Sequence, residues 1–206
     1  MKRAILVALV LSALGLAPAT ARAAESWLTA RALQERFSKI ATFSAEVEQT
    51  KQARFLARPL KSQVRIEFDR ERINWKTLSP IASTIVVDRQ GMHVQSAAAP
   101  GGANPMAAAG QDPRAVAFVR FIRAVFALDF AELEKDFALS FEGSTMKATP
   151  KDGSSLGGMI QSIEMGFSRE LKLETVDVRT PDETTHLVFK TFETTEAAAA
   201  AAPGQR

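Results

Sequence analysis

Alternation of apolar and polar side chains through most of this chain constrains its fold more than any other feature. It is clearest in RINWKTLSPIASTIVVDRQGMHV, residues 72–94, where Ile73, Trp75, Ile85, Val87, Met92 and Val94 share one phase. The pattern is interrupted at Ser79-Pro80 and turns at Asp88-Arg89-Gln90-Gly91. Successive side chains of a strand point to opposite faces, so a period of two buries one of them. Three strands are predicted here, over 72–78, 81–88 and 91–97. Upstream, Phe43, Ala45 and Val47 alternate with Ser44, Glu46 and Glu48, and Val64, Ile66 and Phe68 with Arg65, Glu67 and Asp69. Residues 137–193 return to the same period: Phe137, Leu139 and Phe141, a turn at Gly143-Ser144, a partner over 145–149, a run over 159–167, and THLVFKTFE at 185–193. Between the last two, the phase changes from Leu171 and Leu173 to Val176 and Val178, which predicts a bulge near Glu174. Short strands joined by short turns give an antiparallel meander of about ten strands.

Two segments change the period. Trp27, Ala30, Leu33, Phe37 and Ile40 recur at three- and four-residue steps, predicting a helix over 26–41 with Ser26 as its N-cap. AAAPGGANPMAAAGQ, 97–111, has no periodicity and is expected to be a mobile loop. Asp112-Pro113 then offers an N-cap and a first-turn proline for a helix through about 137. Its Phe118, Phe121, Ile122, Val125, Phe126 and Leu128 cover more than the usual apolar stripe. A twisted sheet of about ten strands must curl. The predicted class is therefore α+β, a curved, unclosed antiparallel half-barrel covered by amphipathic helices. Either the concave side is filled by a packed core, or it leaves an apolar cavity suited to an acyl chain. Periodicity does not separate the two.

The chain opens MKRAILVALVLSALGLAPATARA, two cations, an apolar run of about 14 residues and an A-x-A ending, the pattern of a secretory leader cut after Ala23. An uncleaved anchor would need about 20 apolar residues. The expected domain is thus 24–195, followed by a disordered Ala-rich tail, 196–206. Without Lys2, Arg3 and Arg22, the 26 basic residues fall to 23 against 23 acidic, so the net charge of +3 vanishes and with it the electrostatic case for a nucleic-acid partner. With no cysteine, the fold rests on its core alone. Thirteen phenylalanines and no tyrosine make that core apolar without polar handles.

Catalysis finds little support. There is no Cys and no G-x-S-x-G, and carboxylate pairs such as Glu46/Glu48 and Glu132/Glu134 fall at solvent-facing positions. His93 and His186 lie on the outward phase of their strands, without the spacing of a metal site. No enzyme activity, metal or cofactor is expected.

The order of features is more specific than any one of them. Phe43, Ala45, Val47 and Gln49 after the first helix, then Arg70, Trp75 and Pro80, then Val87, Asp88 and Gly91, with AELEKDFALSFEG (131–143) and ATPKD (148–152), resemble the LolA-like periplasmic carriers of outer-membrane lipoproteins. The resemblance spans nearly the whole mature chain. It implies a half-barrel with helices as a lid, and ATP-independent shuttling of acylated cargo from an inner-membrane donor complex to an outer-membrane acceptor by a periplasmic monomer. The cavity would be lined by Phe43, Val47, Val64, Ile66 and Phe68, by Ile73, Trp75, Ile85, Val87, Met92 and Val94, and by Phe118, Phe121, Ile122 and Val125. For the family's arginine that latches the lid helices, Arg70 is the nearest match, with Arg72 close behind. Two departures mark a divergent member: Glu71 stands where the family has proline, with a shortened spacing to Trp75, and the chain ends soon after FKTFE without the further C-terminal strand and helix of some members. The divergence points to a lipoprotein or to another lipid, such as a glycolipid or polyene lipid. The alternative is a related periplasmic sensor of lipid or lipoprotein.

Overall fold

The structure, a computed structural model, describes residues 27–96 and 113–197. The leader, the 97–111 loop, Ser26, Asp112 and the tail beyond 197 lie outside the described residues.

Strand β1 (Ile40–Ala53) is the spine. Along one edge it pairs with β2 (Leu60–Asp69); along the other its second half pairs with β10 (Glu183–Phe189) and its first with β11 (Glu193–Glu196). From β2 the meander continues through β3 (Arg72–Ser79), β4 (Ser83–Asp88) and β5 (Gly91–Ser96). From β10 it continues through β9 (Leu173–Arg179), β8 (Ser162–Phe167), β7 (Thr145–Pro150) and β6 (Phe137–Glu142). All pairings among the described residues are antiparallel, and the eleven-stranded sheet stays open between β5 and β6.

The alternation becomes rows that cross the sheet. Phe43, Phe68, Ile73, Val87 and Met92 lie in register on β1 to β5, and Ala45, Ile66, Trp75, Ile85 and Val94 form the next row. On the other wing, Leu187, Val176, Met165, Met146 and Phe141 align, beside Val178, Ile163, Ala148 and Leu139. Because the side-chain period is two, a one-residue slip would turn a whole row to solvent. The expected bulge is present: Gly166 faces Thr175 and Phe167 faces Leu173, leaving Glu174 as the additional residue.

Three expectations need correction. The first helix, α1, covers only Ala30–Phe37, its cap is Thr29, which accepts from the Ala32 N–H at 3.1 Å, and Ile40 already belongs to β1. The reason is long-range: the Arg70 guanidinium donates to the Ser38 and Ile40 carbonyls, which a continuing helix would have used for itself. The second helix is two, α2 (Pro113–Ala127) and α3 (Phe130–Asp136). The chain breaks at Leu128, with φ of 47°, and Asp129 caps α3 through the Glu132 N–H at 3.1 Å. Arg120 on α2 then bridges Glu132 and Asp136, folding α3 back. Finally, 185–193 is not one closing strand: β10 stops at Phe189, and β11 follows as a further short strand beyond Phe192. Among the described residues, no helix is long and apolar enough to cross a membrane.

Candidate functional site

Helix α2 lies over the concave face, and the space beneath it is not filled. One cavity of about 380 Å³ lies between α2 and the β8–β10 wing. A second, of about 480 Å³ and more open to solvent, lies between α2 and the β3–β5 wing. Each falls within the range of about 300–1,000 Å³ typical of small-molecule sites. Trp75, Phe118, Ile122 and Phe126 line both, so they form the partition between them. Phe126 sits edge-on to Trp75 at 6.4 Å and near Phe43 at 6.1 Å, and Phe121 stacks on Phe137 at 5.0 Å. These ring contacts hold α2 across the gap.

The residues expected to line a cavity divide according to where the sheet curves away from the helix. Phe43, Phe121 and Val125 face the first cavity, Ile73, Ile85, Val87 and Met92 the second, and Trp75, Phe118 and Ile122 both. Val47, Val64 and Ile66 point inward but are fully packed and line neither. Phe68 lines a separate open groove with Arg70, Arg120 and Arg123. Val94, on edge strand β5, is 37% exposed and lines no cavity described here. Sequence reasoning passed over the opposite wall, where Ile163, Met165, Val176, Val178 and Leu187 carry the same alternation, and it passed over Phe192, whose ring meets Phe43 at 5.1 Å and Phe37 at 6.2 Å. It also passed over a polar rim: Gln49, Lys51, Ser62 and Thr77 border the second cavity, and Thr180, Glu183 and Thr185 the first.

Arg70 occupies the β2–β3 turn, donating from Nη2 to the Ser38 carbonyl at 2.5 Å and from Nε to the Ile40 carbonyl at 3.3 Å. Ser38 is the C-cap of α1, so the arginine ties that helix end to β1. Arg70→Leu should cost about 1 kcal/mol in urea unfolding, the net worth of such hydrogen bonds, while the sheet stays folded. Both histidines lie on the convex face beside carboxylates, His186 Nδ1 at 2.8 Å from Asp177 and His93 Nε2 at 3.7 Å from Asp88. Among the described residues no group of three potential metal ligands converges.

No protein-family model matches the chain, and no curated protein matches it in sequence. Solved structures similar to it in fold include the following three. The LolA superfamily protein NE2245 from Nitrosomonas europaea is 10% identical, covers 83% of this chain and 96% of its own, and has a TM-score of 0.40. A domain described as an outer membrane lipoprotein-sorting protein from Vibrio parahaemolyticus is 12% identical over 83% of this chain and 94% of its own, with a TM-score of 0.41. The MucA/MucB complex of Pseudomonas aeruginosa matches at 13% identity and a TM-score of 0.45, covering 82% of this chain and 59% of that one.

Proposed function

We propose that the protein is a periplasmic carrier that takes the acyl chains of a lipoprotein or another lipid under α2 and moves them between inner and outer membranes without chemical change. The observation that carries this reading is the pair of adjoining apolar cavities, about 380 and 480 Å³, on the concave face of a half-barrel. Each buried methylene contributes about 0.8 kcal/mol, so a long chain has ample reason to enter. The leader-like sequence 1–23 supports export, and the chain's resemblance to LolA-like carriers supports the direction of traffic. Exposed apolar side chains support loading at a bilayer: Phe55, Leu60, Leu78 and Ile81 all lie at the end of the sheet that carries the β1–β2 and β3–β4 turns. Arg58 and Lys61 stand among them, suited to an anionic membrane surface.

Native mass spectrometry of the purified mature protein tests the proposal. An acylated species should co-purify, and the delipidated protein should take up a fluorescent fatty acid. A clean protein that also refuses the probe would overturn the carrier reading. The membrane step has its own variant: Phe55→Asp with Leu78→Asp, neither lining a cavity, should slow extraction from anionic vesicles several-fold and leave the affinity for free fatty acid as it was. Equal extraction rates would remove this end of the sheet from the loading step.

A further inference from the structure

The inward-facing rows of β1 and β10 change character together. On β1 they run Phe43, Ala45, Val47, Gln49, Lys51; on β10, in antiparallel register, Phe189, Leu187, Thr185, Glu183. Both pass from apolar to polar towards the same end of the sheet, although the last inward position of β1, the buried Ala53 opposite Glu183, is apolar again. There the Lys51 Nζ meets the Glu183 Oε1 at 3.2 Å, with side chains 35% and 27% exposed. An ion pair in such a position contributes about 0–1 kcal/mol, so stability gives little reason to place one on the concave side. Its position relative to the cavities is more telling. Lys51 borders the second cavity and Glu183 the first, while Trp75, Phe118, Ile122 and Phe126 separate the two. Two apolar compartments thus open beside one another at a rim that carries one cation and one anion.

We propose that the cargo of this site is a two-chain amphiphile with a zwitterionic headgroup, one chain in each compartment and the headgroup on the Lys51–Glu183 pair. This rests on the carrier reading and deepens it. A single chain would leave one apolar compartment without an occupant, whereas two chains that join at a polar group match both compartments and the rim between them. The charges select the headgroup. A purely anionic group satisfies Lys51 but confronts Glu183 with a like charge, and a purely cationic group does the reverse. A group with both charges pairs with each side chain, and complementary charge patterns of this kind set specificity more than raw affinity.

The test uses the delipidated full-length mature protein, titrated with dioleoyl phosphatidylethanolamine, dioleoyl phosphatidylglycerol, dioleoylglycerol and oleate, with stoichiometry read by native mass spectrometry. One two-chain lipid or two oleates should saturate each protein, and the zwitterionic lipid should bind about tenfold more tightly than the anionic one. Glu183→Gln should bring that ratio to about one, Lys51→Met should weaken both phospholipids while the preference remains, and the exchanged pair Lys51→Glu with Glu183→Lys should keep the preference that Glu183→Gln loses. Thermal melting of each variant, close to that of the parent, separates lost selectivity from lost folding. Saturation by a single oleate, equal binding of the two phospholipids, or a preference that survives in Glu183→Gln would each overturn the inference while leaving the carrier standing. Refusal of all four compounds would defeat the carrier reading itself.

Discussion

Phe43→Ala is expected to lower the unfolding free energy by about 3–5 kcal/mol, the usual cost of removing a well-packed phenylalanine ring. Few positions join so many parts of the molecule. The ring is 4% exposed and lies 5.0 Å from Phe68 on β2, 5.1 Å from Phe192 in the β10–β11 connection, and 6.1 Å from Phe126 on α2. It therefore anchors the helix, the central strand and the return of the chain to β1 at once. It also borders the first cavity, so truncation enlarges a space that is already unfilled and that neighbours are poorly placed to close. Since domains are stable by only about 5–15 kcal/mol, the variant should be marginally folded. The measurement is the urea midpoint and slope of Phe43→Ala beside Phe43→Leu, which keeps most of the apolar volume and should lose much less. A loss under about 1 kcal/mol for alanine would mean that α2 does not bear on β1 through this ring.

The strands and their inward phase were legible because periodicity reports which face of a strand is buried, and even the bulge at Glu174 left its mark as a phase change. Curvature left none. Val47, Val64 and Ile66 alternate just as Ile73, Ile85 and Val87 do, and Ile73 and Val87 are as deeply buried, yet only the last three border the second cavity. That difference depends on the distance between sheet and helix, which no local pattern encodes. The end of α1 was illegible for a related reason, since it is decided by an arginine some thirty residues away in sequence. The break between α2 and α3 could have been found. Asp129 followed by Glu132 is a capping pattern, but it is embedded in an apolar run long enough to suggest one continuous helix. The polar rim was likewise visible, as the point where the inward phase of β1 passes from Val47 to Gln49 and Lys51.

Val178→Trp should separate binding from stability. Val178 is half-buried on β9, in register with Ile163 on β8 and Thr185 on β10, and its side chain borders the first cavity but not the second. An indole placed there enters space of about 380 Å³ that the protein itself does not fill. Overpacking a tight core costs about 1–3 kcal/mol, whereas filling an existing void commonly contributes about 0.5–2 kcal/mol. The melting temperature of the empty protein should therefore hold or rise. Cargo must give up the volume that the indole takes. Displacing about three methylenes of a bound chain forfeits about 2.4 kcal/mol, or about fifty-fold in affinity for a two-chain lipid. Val178→Ala, which removes volume from the same wall, should bind cargo at least as well as the parent and be slightly less stable. The two substitutions thus move stability and affinity in opposite directions. A packed core predicts otherwise: the tryptophan would destabilise the protein, and neither change would touch lipid binding. If Val178→Trp melts normally and binds as before, the acyl chains do not enter the space beside β9, and the concave wall of this wing is structure rather than site.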